Sequence, residues 1–309
     1  MIPFELTDKD HLRWYVNGHL YGDRYNDRDT FDVQLGKVNS ESVKDFRTEL
    51  YAAMAKLIDT HGTKLDVFYS GGADSEVVLR VLLDLGVRPK VYTIRFIDGS
   101  NAHETDNAAE FCLQTGLEQI RIERDIERYI KEKQYLDLAT KYQCSQIAYL
   151  NVVDSALSFC SGPVIMGGEV YLQKHQSLGP AVQTPEEWYY IYRENEDAFT
   201  YRVSHGTRLP IINEVFTYTP ELLYSYLTDP MVAEVARNEV PGKITLLSIK
   251  RKVYEKHLGC TLLAQTKYHG YESMLWTNKV ITDDLKKHWP KQQAARLEYH
   301  KLLEDMACK

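Results

Sequence analysis

The sequence predicts an α/β protein, a parallel sheet with helices on both faces, followed by a C-terminal α-rich lobe. Three observations lead there. Short apolar runs alternate with helix-length patterns between residues 41 and 123, the signature of strands joined by helical crossovers. The first run, Leu65-Asp66-Val67-Phe68-Tyr69, breaks into Ser70-Gly71-Gly72-Ala73-Asp74-Ser75, and a helical pattern resumes at once. In such sheets ligands gather at the carboxyl ends of the strands, which is where this string falls.

Each element follows from local pattern. Residues 1–40 are polar and rich in turn signals (Asn17-Gly18, Tyr21-Gly22-Asp23), which predicts short strands or loops packed on the main body. Residues 41–60 place Val43, Phe46, Leu50, Met54 and Leu57 on one helical face, with Ser40 or Ser42 as the cap. A strand is expected over 65–69, a helix over 75–86 ended by Gly86, and a strand over 89–96. A helix over 103–116 ended by Gly116 and a strand over 118–123 complete the alternation. Residues 125–161 read as mostly helical, and Pro163–Met166 as a short buried strand running into Gly167-Gly168-Glu169. Beyond Glu169 the pattern turns helical and aromatic. The expected division is an N-terminal extension at 1–44, an α/β core at 45–170 and a helical lobe at 171–309 that contributes to the active site.

Composition narrows the class. A content of 44% hydrophobic and 26% charged residues is ordinary for a soluble globular protein. No run approaches the ~20 apolar residues that span a bilayer, so no membrane role is expected. The five cysteines are scattered with no CxxC, which argues against a zinc module or a disulfide framework and fits a cytoplasmic location. A net charge of −7 disfavours broad nucleic-acid binding, although Lys286, Lys287, His288, Lys291, Arg296 and Lys301 form a local basic cluster. A solvated helix face explains that cluster equally well.

The string Ser70–Ser75 carries the chemistry. Its glycines let the backbone turn sharply and present N–H groups to an anion without a Cβ in the way. The helix that follows adds free N-terminal N–H groups and the positive end of its dipole. Ser70 and Ser75 offer hydroxyl donors. The assembly reads as a pyrophosphate cradle; the alternative is a plain strand-to-helix turn with Asp74 or Ser75 as cap. It is not a Walker loop, because no Gly-Lys-Ser/Thr closes it.

The string resembles the SGGxDS signature of the PP-loop ATP pyrophosphatases. Phe96-Ile97-Asp98-Gly99 followed by His103-Glu104-Thr105-Asp106-Asn107-Ala108-Ala109 is similar to the acidic, Ala-rich helix start of asparagine synthetases. Gly206-Thr207-Arg208-Leu209-Pro210-Ile211-Ile212-Asn213 resembles their ExRxPFLD segment, with Asn213 where Asp is usual. Lys250-Arg251-Lys252-Val253-Tyr254 through Gln265-Thr266-Lys267-Tyr268-His269-Gly270-Tyr271 resembles the stretch that ends in RxKxGF. The resemblance is to the synthetase domain of asparagine synthetases and β-lactam synthetases, over roughly residues 45–275. It implies an adenine nucleotide α hydrolase-like fold, with 45–170 as the nucleotide-binding core.

The resemblance also implies an activity: an ATP-dependent, AMP- and pyrophosphate-forming ligase or amidotransferase using ATP and Mg²⁺. A carboxylate or amide oxygen is adenylated, then captured by ammonia or an amine. Residue 2 is Ile and the first cysteine is Cys112, so no glutaminase nucleophile is expected, and a separate ammonia-supplying subunit is conceivable. The implied roles are specific. Lys267, Asp74 and Glu169 are the catalytic candidates, with Lys250 or Lys252 as a lesser cation and Arg208 as a substrate contact or a structural tie. Asp74 and Glu169 would hold Mg²⁺. Ser70, Gly71, Gly72, Asp74, Ser75, Gly167 and Gly168 would bind the nucleotide, with backbone at Phe68–Tyr69 and at Ile94 and Arg95 holding adenine. The acidic run that the family carries after its fourth strand is thinned here to Glu169. Two other readings remain open: a PP-loop enzyme that thiolates or amidates nucleic-acid bases, and a non-enzymatic nucleotide-binding protein.

Overall fold

The computed structural model describes residues 9, 11–26, 28–144, 146–168, 170–174, 188–194, 197–237, 246–264, 284 and 293–308. The chain opens with β1 (Leu12–Val16), β2 (His19–Leu20), β3 (Phe31–Leu35) and β4 (Val38–Asn39). Helix α1 (Phe46–His61) buries Phe46, Leu50, Met54 and Leu57 at the spacing its sequence shows. Its cap is Asp45, whose carboxylate accepts the Thr48 N–H at 2.9 Å, rather than Ser40 or Ser42. An Asp immediately before the apolar stripe is as good a cap as Ser and lies at the right place.

The alternation then follows: β5 (Asp66–Phe68), α2 (Ala73–Asp84), β6 (Lys90–Phe96), α3 (Ala102–Thr115) and β7 (Gln119–Arg124). Helices α4 (Ile126–Lys131), α5 (Tyr135–Tyr142) and α6 (Ile147–Ala156) lead to β8 (Val164–Met166). Next come β9 (Leu172–Lys174), β10 (Trp188–Arg193), α7 (Asp197–Thr207) and β11 (Ile211–Asn213). Helices α8 (Pro220–Leu227), α9 (Pro230–Ala236) and α10 (Leu246–Leu258) follow, then β12 (Ala294–Glu298), α11 (Tyr299–Met306) and β13 (Ala307–Cys308).

Strands β11, β8, β5, β6 and β7 form one sheet in that order, and every neighbouring pair is parallel. Alternate residues serve two cores. Val67, Val91, Ile165 and Ile212 join the core that holds α1, α2 and α3. Phe68, Tyr92, Val164 and Met166 join the one that holds α4, α5, α6 and Phe199 of α7. Strands buried on both faces must be apolar on both, which is why β5 and β8 read as unbroken hydrophobic runs. The result is the α/β architecture expected, consistent with an adenine nucleotide α hydrolase-like fold. The chain builds β5, β6 and β7 in one direction and then crosses back past β5 to lay down β8. The strand order therefore reverses between β5 and β8, and a crevice opens there at the carboxyl edge.

The region after residue 170 supplies helices, as expected, and also strands. Trp188–Arg193, read from the sequence as part of a helical stretch, is the central strand of an antiparallel sheet β12-β10-β9. Its aromatic run packs across strands: Tyr190 and Tyr192 are buried in the core, and Tyr192 stacks on Phe31 of β3 at 6.1 Å. Buried ion pairs bind this region to the N-terminal strands. Lys9 Nζ lies 2.7 Å from Asp197 and donates to the Glu214 carbonyl and the Thr217 hydroxyl, each at 3.0 Å. Arg24 grips both oxygens of Glu194 at 2.9 and 3.0 Å with both side chains fully buried. Among the described residues, no helix is long and apolar enough to cross a membrane.

His11 lies beside the Lys9 network. Burial, reinforced by the Lys9 charge, lowers its pKa from 6.5 to about 3. A histidine held neutral by folding stabilises the protein above its unfolded pKa, and that contribution is lost as pH falls from about 6.5 toward 3. His11→Gln should therefore flatten the acid limb of a urea-midpoint-versus-pH curve. An unchanged limb would show that His11 does not titrate in this window.

Candidate functional site

A cavity of about 570 Å³ lies at the carboxyl edge of the parallel sheet. The ends of four strands meet there: Tyr69-Ser70 after β5, Ile94 and Phe96 in β6, Gly167-Gly168 after β8, and Glu214 after β11. The amino end of α6 supplies Tyr149, Asn151 and Val152 along one wall. Ser70, Gly72, Asp74, Ser75, Ile94, Gly167 and Gly168, singled out from sequence, all line it.

The loop's geometry is set by close backbone approach. Gly71 has φ +98°, and a Cβ there would fall 1.9 Å from the Glu104 carbonyl oxygen at the start of α3. No side chain fits, whatever its chemistry. Gly72 caps α2 with no side-chain hydrogen bond, so neither Asp74 nor Ser75 acts as the cap. The Ser70 hydroxyl accepts the Gly72 N–H at 3.2 Å. The first turn of α2 thus faces the cavity without a side-chain cap, the arrangement that suits an anion.

The opposite wall is equally tight. A Cβ on Gly167 (φ +38°) would come 2.9 Å from Ser75 Oγ, and one on Gly168 (φ +111°) 2.3 Å from Glu214 Cα. Glu214 itself adopts a left-handed conformation, φ 51°, which is strained for a residue with a side chain. The Gly167 carbonyl accepts the Val215 N–H at 3.0 Å, and Lys9 holds the Glu214 carbonyl. Glu214 is 97% buried by its 3% exposure, and it lines the cavity. Sequence reasoning missed it, because its place depends on β11 lying beside β8. A non-glycine residue directly after a short apolar run carried no signal of its own.

Asp74 is held from behind. Its Oδ2 pairs with Lys250 Nζ at 2.7 Å, and its Oδ1 accepts the Tyr254 hydroxyl at 2.9 Å. Lys250 and Tyr254 lie four apart, on one face of α10. The Tyr254 ring is fixed in a cluster with Phe216 and Phe46, with centroids at 5.1 and 5.8 Å. Two residues further along α2, the fully buried Glu76 accepts the Leu263 and Ala264 N–H groups and pairs with Arg80. The segment 262–264 is therefore bound to the same helix that begins at the loop.

Other expected residues lie elsewhere. The Arg95 side chain pairs with Asp106 at 2.8 Å and does not line the cavity, and the Ile94 carbonyl already accepts Asn101 Nδ2 at 2.9 Å. Arg208 is exposed at the end of α7, outside the cavity lining, where its N–H closes the helix on Ser204. Lys252 is exposed, and Lys250 is the lysine at the loop. Glu169 and Lys267 lie outside the described residues, as do Lys286, Lys287, His288 and Lys291 of the basic cluster. At the far end of the cavity Arg193 stacks over the Tyr171 ring, 4.1 Å from its centroid, and both line the wall.

Neither the protein-family models nor the curated proteins yield a match to this chain. Among solved structures it is similar to that of NMN synthetase from Francisella tularensis. The identity is 12%, 79% of this chain and 94% of that chain are covered, and the TM-score is 0.30. At that distance the likeness bears on neither substrate nor residues.

Gly71→Ala tests the loop. Strain at that φ alone costs about 1–3 kcal/mol, and the carbonyl clash adds to it. The variant should show a lower urea midpoint with an unchanged m-value, whereas wild-type stability would mean that the loop does not pack on Glu104.

Proposed function

We propose that the cavity binds ATP with its pyrophosphate end on Ser70–Ser75, and that the protein is an AMP- and pyrophosphate-forming ligase of the asparagine-synthetase type. The observation that carries this reading is the loop itself. An uncapped helix start, in a loop shaped by Gly71 pressed against the Glu104 carbonyl, faces a cavity at the point where the strand order reverses. A volume of about 570 Å³ suits a ligand of nucleotide size. Ser70 and Ser75 supply hydroxyl donors, and backbone N–H groups of the first turn of α2 supply the rest. Such fixed donors favour the charge that gathers on pyrophosphate when the bond to the α-phosphate breaks. Phe68, Ile94 and Phe96 offer an apolar bed for a base.

The acceptor is a carboxylate or amide oxygen, and the capturing group is ammonia or an amine. Lys267 and Glu169 keep the roles the resemblance implies, a cation at the reacting phosphate and a carboxylate toward the amine. A Mg²⁺ ion is disfavoured at Asp74, because it would stand beside the Lys250 ammonium that already pairs with Oδ2. Among the described residues no group of three His, Cys, Asp or Glu could hold a metal.

Three of the five cysteines are poor nucleophiles. Burial pushes Cys112 up to about 11 and both Cys144 and Cys160 up to about 12. A thiol so far from its thiolate is inert as a nucleophile. That disfavours a base-thiolating enzyme that works through cysteine.

The decisive assay incubates the protein with ATP and pools of carboxylates and amines, and separates the nucleotide products. AMP and pyrophosphate are expected; ADP and phosphate as sole products would sink the reading, and binding without turnover would favour a non-enzymatic protein. Ser75→Ala should lower kcat/KM for ATP about tenfold or more, the worth of a hydrogen bond to a charged group, while thermal unfolding stays near wild type.

A further inference from the structure

Asp74 presents a problem that the loop must solve. A carboxylate that lines an anion cradle repels the pyrophosphate the cradle is shaped to hold. A divalent cation on that carboxylate is one remedy, but Mg²⁺ takes oxygen ligands in near-octahedral geometry. Here Oδ2 lies 2.7 Å from Lys250 Nζ and Oδ1 lies 2.9 Å from the Tyr254 hydroxyl. The Lys250 side chain is only 5% exposed, against 23% for that of Asp74. The ammonium therefore sits behind the carboxylate and leaves the cavity side to the ligand. A divalent ion at Asp74 would stand beside a buried positive charge.

Resting on the ATP reading of the cavity, we propose that Lys250 is the resident counter-charge of the Ser70–Ser75 loop, neutralising Asp74 so that pyrophosphate binds without a divalent ion there. Lys250 is a positioning residue, acting through Asp74 and not on the ligand. Tyr254 completes the arrangement by holding the second oxygen. Its hydroxyl is aimed by the stacked rings of Phe216 and Phe46. The pair is more than a brace between α2 and α10, because a brace does not decide whether a metal is needed.

The test is calorimetric titration with inorganic pyrophosphate, once in EDTA and once in Mg²⁺. Wild type should bind with affinities within about threefold of each other in the two media. Lys250→Met should bind about tenfold or more weakly in EDTA, since it leaves an uncompensated carboxylate at an anion site. Mg²⁺ should restore it, because Asp74 is then free to take the ion. The double variant Asp74→Asn, Lys250→Met removes both charges and should again bind in EDTA. Lys250→Arg keeps the charge and should stay metal-independent, which preserves the test if the methionine variant fails to fold.

Wild-type binding that needs Mg²⁺ overturns the counter-charge role. So does a Lys250→Met variant equally strong, or equally weak, in both media, and so does a Lys250→Arg variant that requires Mg²⁺. Absence of pyrophosphate binding by wild type in either medium overturns the nucleotide reading of the cavity itself, a result distinct from the others.

Discussion

The close approach of Gly71 to the Glu104 carbonyl is the constraint around which this protein is arranged. It lets the start of α3 lie directly against the turn between β5 and α2, where a Cβ would fall 1.9 Å from the oxygen. With α3 seated there, the ends of β5 and β6 lie side by side. Asn101 then locks the second of them by accepting the Phe96 N–H and donating to the Ile94 carbonyl. A second close approach, Gly168 against Glu214, draws the ends of β8 and β11 together in the same way. The cavity is the space between these two backbone contacts. Its shape is fixed by main chain, so side chains along it are free to set chemistry.

Buried charge does the remaining work of holding distant segments to this frame. Lys9–Asp197 and Arg24–Glu194 join the first strands to the region around β10, and Gln293 bonds the Asp29 carbonyl and the Phe31 N–H across the same seam. Lys250–Asp74 and Glu76 with the 263–264 backbone fasten the chain from α10 onward to α2. Replacing such pairs with apolar residues would often be neutral, while removing one partner strands a buried charge. Their value here is positional. Each fixes which part of the sequence meets the carboxyl edge of the sheet, and α2 receives two of them within its first turn.

What could be read from the sequence follows the range of the interactions. The strands and helices from residue 46 to residue 166 were legible because their period is local and their burial is two-sided. The loop was legible because glycine spacing, strand and helix all fall within one short stretch. The strand at 188–193 was not. Tyr190, Ile191 and Tyr192 are buried in succession once β9 and β12 flank the strand, so the run carries no strand-like alternation and in isolation suits a helix as well. Glu214 was hidden for a similar reason, since strand order and not sequence brings β11 beside β8. The Asp74–Lys250 pair spans 176 positions and leaves no trace in either neighbourhood. Likewise Asp66 at the start of β5 looks like an interruption in an apolar run, yet its carboxylate accepts the Ser161 and Gly162 N–H groups that lead into β8.

The charge pattern of the cavity argues for electrostatic rather than covalent chemistry. On the loop side the described lining carboxylates are Asp74, already paired with Lys250, and the buried Glu104 at the start of α3. The remaining lining groups there are hydroxyls, backbone and apolar side chains, which bind an anion without reacting with it. Toward the far end Arg193 brings a guanidinium, stiffened by the Tyr171 ring, and Glu214 brings a carboxylate held by strained backbone. A site that reacts through its own nucleophile would place an activated thiol or hydroxyl beside a base. Here burial pushes the Cys112, Cys144 and Cys160 thiols away from the reactive form, and none of them lines the cavity. On the proposed ligase reading the reacting atoms come from bound molecules. The protein's part would then be to hold them in register beside Tyr149 and Phe96 and to oppose the charge that develops as they react.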